Sequence, residues 1–198
     1  MNMRLHARTL TMFVALACAA PITFWPDRAH AQRRAAGAQT LFGSETRVRR
    51  PVKLAADVLR QIMETERECL SNTEKSDAQA ARDVAGSAID INGDVAADIL
   101  AQGLGGCFTG AHSTTFFVFS KSEVRLAPGY DLVLTTPADY LEIRRASTNG
   151  YRDIETGYHT ALEMYSTLWK FDGQKYQPRE CAIETFKTRK RARVPCDR

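Results

Sequence analysis

The sequence lacks any apolar run long enough to cross a bilayer comfortably. Its longest, residues 11–25 (TMFVALACAAPITFW), has 15 members, against about 20 for a spanning helix. It lacks a strong charge of one sign: 27 Lys and Arg face 23 Asp and Glu. Bulk charge therefore gives no argument for nucleic acid or membrane binding. No CxxC pair is present, and no His lies near a Cys at ligand spacing, which argues against a structural zinc site. There is no GxSxG elbow, no HExxH helix and no phosphate-cradling glycine loop. These absences remove the motif-bearing hydrolases, zinc proteases and nucleotide-binding enzymes.

What is present begins with an export leader. Arg4 and Arg8 precede the short apolar stretch, and Ala29-His30-Ala31 offers small residues where a signal peptidase reads. Residues 1–31 are expected to be a signal peptide cleaved after Ala31. An uncleaved anchor is opposed by Pro21 and Pro26, and a lipoprotein built on Cys18 by Ala15, where such signals carry Leu. Removing 1–31 takes away three Arg and one Asp, and lowers the net charge from +4 to +2. Cysteine usage agrees with a periplasmic or secreted destination. The four remaining cysteines, Cys69, Cys107, Cys181 and Cys196, are an even set and suggest two disulfides. Of three pairings, Cys69–Cys107 and Cys181–Cys196 are favoured. The second closes a loop of about 15 residues, worth roughly 3 kcal/mol in the chain-entropy account.

Residues 32–50 are Arg-, Ala- and Gly-rich without apolar period, and read as a flexible leader. Residues 51–198 then form one domain ending in a basic tail. Pro51 is placed to open an amphipathic helix at its first turn. Its apolar stripe is Ala55, Val58, Leu59, Ile62, Met63 and Cys69. From Ser113 onward the segments are short and aromatic or β-branched, punctuated by APG, TNG and FDG. Asp172-Gly173 is a hairpin signal; the stretch around residues 140–146 reads equally as strand or short helix. The fold class expected is α+β, with the N-terminal amphipathic helix packed on a mostly antiparallel sheet.

The most informative stretch is DINGDVAAD, residues 90–98. Oxygen ligands Asp90, Asn92, Asp94 and Asp98, with the carbonyl of Ala96, fall at positions 1, 3, 5, 9 and 7 of a loop able to wrap Ca2+. It is not an EF-hand, because the twelfth position is Ala101. A bound site, a vestigial loop, and a plain turn followed by a helix capped by Asp94 all remain open.

DINGD followed by Asp98 resembles the D-x-[DN]-G-D-G-x-x-D loops of FG-GAP-type proteins. The order of motifs is also similar to that in a group of small bacterial exported proteins. In them such a loop joins two strands. A Gly/Cys-rich segment follows (here GLGGCFTG), then a hydrophobic strand (TTFFVF), an NGYxD segment (NGYRD) and a late W-x-(F/Y)-D-G-x-x-Y hairpin (Trp169 to Tyr176). The resemblance covers roughly residues 55–181 and implies an exported, non-enzymatic α+β domain. Two departures stand out. Val95 replaces the family's sixth-position Gly, where a β-branched residue at positive φ is strained. Only one cysteine, Cys107, stands where the family has CGxxGC.

A catalytic alternative joins Ser113, His159 and Asp153, which would have to converge. No catalytic residue is assigned; the enzyme alternative is a hydrolase using His159 with a nearby acid. A further alternative is an inhibitor of an envelope or host enzyme, with GLGGCFTG filling the partner's cleft. The basic residues Lys187, Arg189, Lys190, Arg191 and Arg193 read as a solvated tail pinned by Cys196, or as a weak contact for anionic lipid headgroups or envelope phosphates. The leading expectation is a binding or structural module of the cell envelope, its partner an unidentified protein or envelope component and not a nucleic acid.

Overall fold

The computed structural model describes residues 39–46, 48–94, 96–122 and 129–196. The expected signal peptide, residues 32–38 of the expected leader, Val95, all of EVRLA (residues 123–127) and the first two residues of the APG turn lie outside them. All strand pairs are antiparallel and fall into two sheets. One sheet has the order β2-β3-β4-β5-β6, from β2 (Pro51–Val52), β3 (Val84–Ile89), β4 (Asp98–Gly103), β5 (Thr114–Ser122) and β6 (Gly129–Ala138). The other has the order β1-β7-β8-β9-β10-β11. Its strands are β1 (Leu41–Gly43), β7 (Tyr140–Thr148), β8 (Tyr151–His159), β9 (Glu163–Phe171), β10 (Tyr176–Thr185) and β11 (Lys190–Val194). Between β6 and β7 the chain passes from the five-stranded to the six-stranded sheet through the single residue Asp139. The class is α+β, with short helices α1 (Ala56–Thr65), α2 (Arg67–Ser71) and α3 (Asp77–Ala80).

Three layers explain the patterning. Between the sheets lies one core, with Leu100, Phe116, Val118 and Leu134 from one side and Phe42, Leu141, Ile143, Ile154 and Phe171 from the other. On the opposite face of the five-stranded sheet, Val58, Ile62 and Met63 of α1 pack with Ile99, Ala101, Phe117 and Phe119. That sheet is covered on both faces, so β5 carries the unbroken run Phe116–Phe119, all fully buried, instead of an alternating pattern. β4 is buried at every position for the same reason.

Several expectations change. Pro51 does not open the helix: it pairs with Ser87, and Val52 with Gly86, as strand. The side chain of Leu54 lies close over Gly86, so the chain must be extended until Ala55, the N-cap of α1. Part of the stretch expected to be a flexible leader is ordered: β1 pairs with β7 and Phe42 is buried. No helix follows Asp94: residues 98–103 are buried strand, with Leu100 in one core and Ile99 and Ala101 in the other. The stretch around 140–146 is strand. The basic tail is no tail; β11 pairs with β10 from Cys181↔Val194 to Thr185↔Lys190. Two of the expected turns are found: Asn149 and Gly150 have φ of 51° and 81°, linking β7 to β8, and Gly173 has φ of 112° between β9 and β10. Both disulfides form, Cys69–Cys107 and Cys181–Cys196, with Cα separations of 5.8 and 5.3 Å.

Candidate functional site

The 90–98 loop joins β3 to β4, held from beneath by fully buried Ile91. Asp98 is also fully buried. One of its carboxylate oxygens accepts the Ile91 N–H at 3.0 Å and the other the Lys121 N–H at 3.0 Å. Burial pushes its pKa up to about 6; the nearby charges of Asp94 and Asp90 add to the rise, and the two amides oppose it. Above it the loop satisfies itself. Asp90 accepts the Gly93 N–H at 2.6 Å, with Gly93 at φ +72°. Asp94 accepts the Ala96 N–H at 2.7 Å and the Asn92 side-chain amide at 2.5 Å, while Asn92 accepts the Asp94 N–H at 3.1 Å.

The fifth participant was invisible in the motif. Arg152, on β8 of the other sheet, places Nη2 3.4 Å from the second oxygen of Asp90, and its backbone N–H donates to the Ile91 carbonyl at 2.5 Å. Each of the six carboxylate oxygens in the loop thus already accepts an N–H, and a guanidinium stands beside Asp90. Among the described residues no group of three or more His, Cys, Asp or Glu is placed to hold a metal ion. The donor types suit calcium, and as folded they form a hydrogen-bonded clasp.

The catalytic trio does not converge as expected. Asp153 and His159 lie on the same strand, six residues and so about 20 Å apart at roughly 3.3 Å per residue. Asp153 is buried, with Oδ1 unpartnered. The acid that meets His159 is Asp139, at the sheet-switching corner: its Oδ2 lies 2.5 Å from Nδ1 and accepts the His159 backbone N–H at 2.7 Å. Ser113 makes no hydrogen bond to this histidine among the described contacts. Its neighbour His112 does approach, with ring centroids 6.3 Å apart. A carboxylate taking a histidine's N–H from a distant segment has no sequence signature, because the topology alone brings Asp139 there.

The GLGGCFTG segment is pinned more than displayed. Phe108 is fully buried edge-on to Phe117, Cys107 is crosslinked, and Leu104 projects at 52% exposure. The basic C-terminal residues are also engaged: Arg189 with Glu184 at 3.5 Å, Arg193 with Glu180 at 3.2 Å, and Arg191 with the Ser166 hydroxyl at 3.1 Å. Among the described residues, no helix is long and apolar enough to cross a membrane. The chain matches no protein-family model, no curated protein and no solved structure.

Proposed function

We propose that this chain is an exported, disulfide-stabilised binding or structural module of the bacterial cell envelope, acting after removal of residues 1–31. The observation that carries the reading is the pair of disulfides, one between the helical layer and the loop after β4, the other at the free edge of the second sheet. Such crosslinks persist in oxidising compartments. The test is intact mass and thiol alkylation of the protein recovered from cells. A product starting at Gln32 with four unreactive cysteines is expected. An intact leader together with freely alkylated thiols overturns the reading.

Within it, the 90–98 loop is a degenerate calcium loop of the kind its motif resembles, with the Arg152 guanidinium standing where a cation would compete. Calcium held by Asp90, Asn92, Asp94, Asp98 and the Ala96 carbonyl would first have to displace Arg152 and the Asn92 amide. Calorimetry decides between the two: no saturable heat at millimolar calcium is expected, and saturable heat that Asp90→Ala abolishes would establish a working site. A hydrolase based on His159 has one supporting feature, the Asp139 carboxylate on Nδ1; a hydroxyl bonded to the ring, which acyl transfer needs, is missing among the described contacts.

A further inference from the structure

The chain has four histidines, and two of them, His112 and His159, bring their rings together across the fold. The ring centroids are 6.3 Å apart and the planes are inclined at 42°. Both residues are exposed. They arrive from different sheets: His112 sits in the tight loop leading into β5, closed by the Thr109↔Thr114 bridge and the Gly110 N–H to Ser113 carbonyl bond of 2.9 Å. His159 ends β8.

We propose that His112 and His159 form a surface site for one imidazole-preferring divalent cation, Cu2+ before Zn2+, with Asp139 as its positioning residue. The argument rests on how Asp139 holds His159. One carboxylate oxygen takes both the backbone N–H, at 2.7 Å, and Nδ1, at 2.5 Å. That fixes the backbone and the ring together, and leaves Nε2 as the nitrogen that carries a free lone pair. This carboxylate–imidazole relation is the one that orients metal-ligating histidines and raises their basicity. Two imidazoles sharing an ion, each at about 2.0 Å, have centroids roughly 5–6 Å apart. The observed 6.3 Å is close to that separation, and His112 lies on an exposed loop. Among the described residues no third side chain is placed to coordinate, so water completes the sphere and the ion exchanges readily. Imidazole suits both metals, and the ordinary affinity series ranks copper first. The site is separate from the 90–98 loop and does not rest on the function proposed above.

The experiment uses the full chain carrying His6→Ala and His30→Ala, which leaves His112 and His159 as its two histidines. Titration with Cu2+ is followed by electron paramagnetic resonance and by equilibrium dialysis. One equivalent bound through two equatorial imidazole nitrogens is expected, falling to one nitrogen with at least tenfold weaker binding in both His112→Ala and His159→Ala. His112 lies on an exposed loop, so its variant tests the site even where His159→Ala loosens the fold. Asp139→Asn is expected to keep two nitrogens but bind about ten- to hundredfold more weakly. In that variant, 15N shifts of the metal-free His159 ring should show loss of the single Nδ1–H tautomer. A copper spectrum and affinity unchanged by His112→Ala, or no stoichiometric copper in the parent, overturns the proposal.

Discussion

Asp98 shows how much one buried carboxylate decides. Both its oxygens accept backbone N–H groups, from Ile91 below the loop and from Lys121 on β5. Its pKa nevertheless rises from 3.8 to about 6, because burial outweighs the two amides. Between those values the folded chain holds a proton that the unfolded chain has lost. Stability from this group is therefore complete below about pH 4 and is lost as pH rises through about 6. Asp98→Asn removes the titration and leaves one amide N–H without a good acceptor, a cost of about 1–3 kcal/mol. The stability gap between the parent and Asp98→Asn, measured by urea denaturation, should be widest near pH 4 and narrow by pH 7. A gap that stays constant or widens over that range contradicts the assignment of the proton to Asp98.

Among the elements, α1 does more than cover a sheet face. β6 is an edge strand of its sheet, and an open edge exposes backbone groups that must find partners. Asp57 accepts the Tyr130 N–H at 3.0 Å, while Gln61 donates to the Tyr130 carbonyl at 2.9 Å and accepts the Leu132 N–H at 3.3 Å. The helix thus closes the edge with side chains. Gln61→Ala should cost about 1–2 kcal/mol through the two lost bonds and speed hydrogen exchange at the Leu132 amide. Unchanged exchange there would show that the edge is protected by packing alone. A tighter constraint lies at Gly103, where an added Cβ would fall 2.3 Å from the Phe108 carbonyl oxygen and 2.9 Å from the Thr114 hydroxyl. Gly103→Ala has no φ penalty to meet and is destabilising purely by crowding, by about 1–3 kcal/mol, read as a lowered urea midpoint. The strands after Ser113 and the turns at Asn149-Gly150 and Asp172-Gly173 were legible because their residues state a local preference. Pro51 and Asp94 misled for the same reason. Each is a fair helix starter locally, yet Val52 is needed opposite Gly86, and Ile99 and Leu100 are needed in two different cores. Arg152 beside Asp90, and Asp139 beside His159, were legible nowhere: the first contact joins the two sheets, and the second depends on the pairing register of β7 with β8.

At the scale of the whole molecule, the disulfides divide unequally between its layers. Cys69–Cys107 joins α2 to the loop after β4, across a sequence separation of 38; Cys181–Cys196 spans 15 residues at the outer edge of the six-stranded sheet. The chain-entropy account gives about 4 kcal/mol for the longer loop and about 3 for the shorter, a small difference. Position enlarges it. Around Cys107 the segment is also held by buried Phe108, by the Leu104 N–H to Asp83 carbonyl bond of 2.7 Å and by the Lys75–Asp83 pair at 2.6 Å, so this crosslink constrains a loop that packs into the helix-side core. Cys181–Cys196 closes a hairpin whose outer strand, β11, is largely exposed and carries Lys190, Arg191 and Arg193 on an open edge, where charge also discourages pairing with another chain. Loss of the second bridge therefore releases β11 locally, while loss of the first lowers the barrier to opening the whole helical layer. Replacing Cys69 and Cys107 together by Ala should remove about 4 kcal/mol of global stability and raise exchange across α1 and β4. The Cys181 and Cys196 double replacement should leave those amides protected and free only β11. Equal global losses, with exchange rising across both sheets in each variant, would mean that the two bridges brace a single cooperative unit and that the edge hairpin is not an independent one.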